Sequence, residues 1–348
     1  MKITKNELKE MINESVEKQL RKTKFNHKRK VNESSNNEYK YFPKSKEELK
    51  KIIQQEIRMN GNNCDLNMID TSKIKDMYRL FKNSKFNGDI SNWNVSNVTN
   101  MSKMFSGTLF NGDISNWNVS NVTDMSYMFS QTFFNNDISN WNTGKVKSMV
   151  GMFSSSKFNQ NINNWNVSNV TDMSYMFNIS KFNQDISGWN ISKVKDMSFM
   201  FAYSYFNKNI NNWKVNSVIN MESMFEYSIF NQKLSNWNVS KVVNMTSMFA
   251  NSNFNQDISN WDVGKVIDMH LMFAKSEFNQ DISNWNVRNV LNMSSMFNNS
   301  KFNQPIVNWF KKISKRCNLQ NFGKFNGFKI NSYDDFAQYL RQHVLGKL

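Results

Sequence analysis

The ten tryptophans of this 348-residue chain are Trp93, Trp117, Trp141, Trp165, Trp189, Trp213, Trp237, Trp261, Trp285 and Trp309. Each step is 24 residues, and no Trp lies outside the series. A period held over ten units without insertion or deletion points to near-identical units laid side by side, each burying its apolar face against its neighbours. An ordinary globular core gives no reason to keep such a register.

Other positions keep the same period. One full unit reads FNGDISNWNVSNVTNMSKMF, from Phe86 to Phe105. Ile stands three before each Trp, from Ile90 to Ile306, with Leu234 the exception. Val stands five after, from Val98 to Val290. Met stands eight and eleven after, Phe twelve and seventeen after. Ile69 opens a weaker unit one step before Trp93. I-x-x-W-x-V has the spacing of a short strand with Trp and Val inward. V-x-x-M-x-x-M-F predicts a short helix with one apolar stripe. The fold class expected is therefore a repeat solenoid: ten to eleven coils of short parallel strands and short helices, over residues 66–309.

FNxxIxxWxVxxVxxMxxMF resembles the BspA-like leucine-rich-repeat family, with Trp in a leucine slot. The resemblance implies a parallel solenoid and little about function, since the family's members are mostly uncharacterised surface and interaction proteins. It points to surface proteins of mycoplasmas and other bacteria, and to some viral and phage proteins.

The repeated columns read as core rather than as sites. Met beside Phe at helical spacing is packing, not a soft-metal centre. Asn92, Asn94, Asn116 and Asn118 begin outward columns in which stacked amides can form ladders. The Asn column after Phe, Asn87 to Asn303, is expected to bond turn backbone. Asp89, Asp113, Asp137, Asp185, Asp257 and Asp281 form a carboxylate column, broken by Asn161, Asn209, Lys233 and Pro305; it reads as solvated turn carboxylates rather than a cation site. The cysteines, Cys64 and Cys317, have no metal-ligand spacing, and the three histidines form no cluster. No Ser/His/Asp set, HExxH, P-loop or GxGxxG occurs, so neither an enzyme nor a cofactor nor a small-molecule substrate is expected.

Positions where the repeat varies are the candidate partner surface: Phe133, Tyr203, Tyr205, Tyr227 and Ile229. Exposed aromatics that cluster mark interfaces.

The net charge of +16 belongs to the ends. Residues 1–60 carry 16 Lys/Arg against 9 Asp/Glu, and residues 310–348 carry 8 against 2. The middle holds 20 and 17. Residues 4–21 predict an amphipathic helix with Leu8, Met11, Ile12, Val16 and Leu20 on one stripe. A basic run follows, with Arg21, Lys22, Lys24, Lys28, Arg29 and Lys30. Residues 1–40 thus read as a docking helix and tether, 41–65 as an N-terminal helical cap, and 310–348 as a C-terminal cap with a helix. The N-terminal segment is similar to short helices on structural proteins of gut bacteriophages. MKITKNELKEMINES has no apolar h-region, so export by the Sec route is not expected, and no stretch is apolar enough to span a membrane. The expected role is a phage or virus particle component, virion-associated or cytoplasmic, docked onto other particle proteins by the helix. The alternatives are a cell-surface adhesin for host protein or glycan, and an internal protein held on nucleic acid by the basic run.

Overall fold

The computed structural model describes residues 39–325 and 327–343. All the repeats lie in one compact unit that begins at Lys40. The docking helix and basic run expected over residues 4–30 lie outside the described residues.

The elements are helix α1 (Lys46–Asn60), helix α2 (Val307–Phe310), strands β1 (Gly323–Phe325) and β2 (Phe328–Ile330), and helix α3 (Tyr333–His343). Between α1 and α2 the described residues form no helix and no strand. The strand expected for I-x-x-W-x-V and the helix expected for V-x-x-M-x-x-M-F are therefore corrected: both segments are successions of tight turns. In one repeat the N–H of Met104 donates to Met101, Ser106 to Lys103 and Thr108 to Phe105. All are three-residue steps, one short of an α-helical bond. Lys103 and Gly107 have φ of +57° and +71°, which no right-handed helix tolerates. Each turn brings the chain back inward about every third residue, and so imitates the stripe of a helix.

The remaining backbone donors reach the next repeat. The N–H groups of Met101, Lys103, Phe105 and Gly107 donate to the carbonyls of Asp124, Ser126, Met128 and Ser130 at 2.8–3.0 Å. Alternate donors thus serve their own repeat and its neighbour. Ten parallel bridges run without a break from Asp76 to Asn318. Neighbouring repeats consequently lie side by side at about the 4.8 Å spacing of paired strands.

The core is a set of columns. The Trp93 and Trp117 rings lie 6.5 Å apart and within 1° of parallel, and Trp285 and Trp309 lie 6.2 Å apart. Phe105 stacks on Phe110 in its own repeat at 4.3 Å and on Phe129 in the next at 5.6 Å. Every Trp donates its indole N–H to the carbonyl 27 residues earlier, as Trp117 does to Ile90 at 3.2 Å and Trp309 to Ile282 at 3.0 Å. This bond explains why Trp, and not another large apolar residue, fills the slot. Thr143, which replaces Val, is buried yet satisfied: its hydroxyl donates to the Asn166 carbonyl at 3.0 Å.

Asn and Asp shape the turns. The Oδ1 atoms of Asp113, Asn118 and Asp124 accept the N–H groups of Ser115, Ser120 and Ser126, two residues on in each case. These Asx turns recur through the stack and explain why Asp and Asn interchange there, since either supplies the acceptor. The Asn94 and Asn118 column therefore makes turns rather than the expected amide ladders. Repeats are stitched instead by the Asn after each Phe, whose Oδ1 accepts the backbone N–H of its counterpart, as Asn87 does from Asn111 at 2.8 Å.

Both ends are covered. Ser45 caps α1 by accepting the Glu48 N–H, and Gly61 ends it at φ +83°. The helix buries Leu49, Ile53 and Glu56, and Glu56 accepts from Tyr41, Lys40 and Asn60. At the far end β1 and β2 pair antiparallel, and the Ser332 hydroxyl caps α3. Phe322 and Phe325 meet Phe297 at 85° and 84°, edge-on, so the parallel ring columns stop there.

Candidate protein-binding surface

Positions ten and fourteen after each Trp share a conformation that most side chains avoid. Lys103, Tyr127, Tyr175 and Phe199 in one column, and Ile179, Tyr203 and Tyr227 in the other, all have φ between 51° and 59°. The inter-repeat bonds impose it. The N–H groups of Ile179, Tyr203 and Tyr227 donate to Ala202, Glu226 and Ala250 of the next repeat at 2.8–2.9 Å. The following residues, Ser180, Ser204 and Ser228, are buried, which leaves the preceding side chain directed outward.

Left-handed backbone costs an L-residue roughly 1–2 kcal/mol, least for Gly and Asn, and a β-branched residue there is an outlier. The sequence nonetheless places Ile179, Tyr203 and Tyr227 in three successive repeats, exposed by 57%, 47% and 47%. The rings of Tyr203 and Tyr227 stack at 4.6 Å. Two residues along each repeat, Tyr205 and Ile229 are also exposed. Together these five residues make one outward apolar patch. Burial holds the Tyr203 phenol above its ordinary value, with Glu226 and Tyr227 adding to the effect. It is a neutral group at physiological pH.

Of the residues singled out from sequence, Tyr203, Tyr205, Tyr227 and Ile229 therefore lie together in two consecutive repeats. Phe133 does not join them. It is three repeats away from Tyr205, about 14 Å at the strand spacing, and shares its column with exposed Leu109 in the preceding repeat. The second column carries Tyr175 stacked on Phe199 at 4.6 Å. It also explains a glycine: a Cβ on Gly151 would stand 2.4 Å from the Tyr127 ring.

Sequence reasoning missed two features. Ile179 went unnoticed because its left-handed backbone has no signature in the residue itself. Ile219, Val243, Ile267 and Leu291, six after their Trp, form an outward aliphatic ridge in which Val243 is half-buried and the other three are exposed. Their N–H groups each donate to the same position one repeat earlier, as Val243 does to Ile219 at 2.8 Å. The signal was present as a column that changes from Thr and Lys to aliphatic residues midway, but the helix reading obscured it.

Among the described residues no three His, Cys, Asp or Glu side chains converge to hold a metal ion. In the carboxylate column Asp89, Asp113, Asp137, Asp185, Asp257 and Asp281 each accept the N–H two residues on. No helix among the described residues is long and apolar enough to cross a membrane.

Three overlapping segments, residues 47–157, 131–234 and 226–334, match the family described as Mycoplasma protein of unknown function, DUF285. No curated protein and no solved structure matches the chain.

Proposed function

The chain belongs to that Mycoplasma family of unknown function, and we propose that it is a non-enzymatic interaction protein whose repeats form one continuous parallel solenoid, a rigid body presenting the Ile179–Tyr203–Tyr227 patch to a protein partner. One observation carries this reading. Three successive repeats place exposed apolar side chains on backbone that disfavours them. Strain of this kind persists where function maintains it. Tyr supplies large contact area at low entropic cost, and the rigid ladder beneath removes the ordering cost of binding. The inward positions recur as packed Trp, Val, Met and Phe, which leaves the outer face to carry function and supports a binding role over catalysis.

In this reading, docking into a larger assembly, a phage or virus particle, falls to Leu8, Met11, Ile12, Val16 and Leu20.

The test compares three chains in the cells that make the protein: the natural one, one with Ile179→Asn, Tyr203→Asn and Tyr227→Asn, and one lacking residues 1–40. Co-purifying proteins are quantified by mass spectrometry. The natural chain is expected to hold a stoichiometric partner that the triple variant loses without melting earlier. An unchanged partner set in that variant overturns the surface reading. A particle-bound fraction unchanged by the truncation overturns the docking reading.

A further inference from the structure

Charge is segregated on this molecule in a way that its net charge hides. Residues 61–309 hold 20 basic and 17 acidic residues. The two outward columns four and six after the Trp register contain eight of the basic residues and none of the acidic ones. Lys73 with Lys75, Lys145 with Lys147, and Lys193 with Lys195 form pairs, and Lys241 and Lys265 extend one column. At about 4.8 Å per repeat, the pairs at Lys145 and Lys193 lie about 10 Å apart.

Here the surface is also hollowed. Thr123, Lys145, Lys147, Asn169, Thr171 and Lys193 line an open groove. Two of its ammonium groups are held in place by the preceding repeat: Lys145 Nζ donates to Asn121 Oδ1 at 2.6 Å, and Lys193 Nζ to Asn169 Oδ1 at 2.7 Å. None of the three lysines is ion-paired among the described residues. The acids that directly follow Thr123, Thr171 and Lys195, namely Asp124, Asp172 and Asp196, have their Oδ1 atoms committed to the N–H groups of Ser126, Ser174 and Ser198. The threonine hydroxyls donate to backbone carbonyls of the preceding repeat, so their oxygens are available as acceptors.

We propose that this groove binds an extended acidic polysaccharide, with the lysines on its carboxylates or sulfates and Thr123, Asn169 and Thr171 on its hydroxyls. Pre-positioned cations spaced along a straight ladder suit a linear polyanion running across the repeats. Neither column carries an aromatic residue, so the stacking platforms on which single-stranded nucleic acids depend are missing. The surface is separate from the tyrosine patch and does not rest on it.

The experiment uses the full chain with Arg21, Lys22, Lys24, Lys28, Arg29 and Lys30 replaced by glutamine, because that run attracts any polyanion. It is titrated calorimetrically with a sulfated oligosaccharide, a polyuronate, neutral dextran and oligothymidylate. Binding to an acidic glycan, absent for dextran and weakened by salt, is expected. Lys145→Ala, Lys147→Ala and Lys193→Ala together should weaken it about tenfold, the sum of three exposed ion pairs. Arginine at the same three positions should retain it. Melting curves establish that both variants are folded. The proposal is overturned by no binding to either glycan, by equal binding of the alanine variant, or by oligothymidylate binding as tightly with the same lysine dependence.

Discussion

The Trp column and the column fourteen residues later rest on the same hydrogen-bonded register and are used in opposite ways. At the first, every repeat from Trp93 to Trp309 carries the same residue, at most 4% exposed. At the second, Gly107, Gln131, Ser155, Ile179, Tyr203, Tyr227, Asn251, Lys275 and Asn299 share one backbone conformation and little else. The Trp side chain itself joins repeats, through its ring and through its indole N–H. At position fourteen the backbone N–H does so whatever the residue, and the side chain is left to vary, with the Tyr203–Tyr227 stack an added ring contact. Repetition thus marks the atoms that hold neighbours together, and variation marks those available to something else.

The comparison breaks hardest at Trp165. Its ring stacks on Trp141 at 6.3 Å, and its indole donates to the Ile138 carbonyl at 3.0 Å. Trp165→Ala should cost about 4 kcal/mol or more, from the cavity and from loss of the indole's bond to the Ile138 carbonyl, which keeps only the Trp141 N–H. In a stack stabilised by nearest-neighbour terms, weakening a central interface uncouples the two sides. Urea unfolding followed by tryptophan fluorescence should separate into two transitions. A single transition at the natural midpoint would show that the Trp column does not hold the stack.

A second effect is read along the pH axis, in a column intermediate between the two kinds. Asp137, Asp185 and Asp257 are held below the usual carboxylate range, first by the backbone N–H groups of Ser139, Ser187 and Ser259 and then by the same serines' hydroxyls. A carboxyl group with a depressed folded value contributes stability that is present above its unfolded value and lost as pH falls through the folded one. Asn keeps the acceptor and does not titrate, as Asn161 and Asn209 show in this column by accepting from Asn163 and Asn211. Asp137→Asn, Asp185→Asn and Asp257→Asn together should therefore flatten the loss of melting temperature below about pH 4 and lower the neutral value slightly, because Asn accepts the same N–H without the charge. An unaltered acid limb would mean that these turns do not favour the charged form.

How legible each region was follows from the same distinction. The period, the inward columns and both helix caps could be read because they rest on residue types with local meaning: Trp, Met and Phe inside, Ser45 and Gly61 at the ends of α1. The turn ribbon could not. Apolar spacing of three and four arises from an α-helix and from overlapping turns alike, and only the bonds to the next repeat, absent from any single unit, decide between them. The left-handed positions were equally hidden. Gly107 hints at them, but Tyr203 and Ile179 in the same column argue against such a backbone, and tertiary bonding overrides that preference. The exposed apolar patch was legible in part because surface aromatics are conspicuous, whereas Ile179 and the Ile219–Leu291 ridge look like ordinary aliphatic residues until their neighbours are in place.

The smallest effect has the opposite sign and separates fold from function most sharply. Ile179 is β-branched, 57% exposed, and held at φ +53°. Its N–H bond to Ala202 at 2.9 Å does not depend on the side chain. Asn occupies the same position without such strain at Asn251 and Asn299. Ile179→Asn should therefore stabilise the protein, by about 0.5–1 kcal/mol, through relief of the left-handed strain. The check is a rise in denaturation midpoint with an unchanged dependence on denaturant. A fall of similar size would mean that the isoleucine is packed rather than presented, and the case for the patch as a binding surface would lose its strongest member. A rise would mean that the chain keeps a residue its fold disfavours, as stability–function trade-offs at binding sites require.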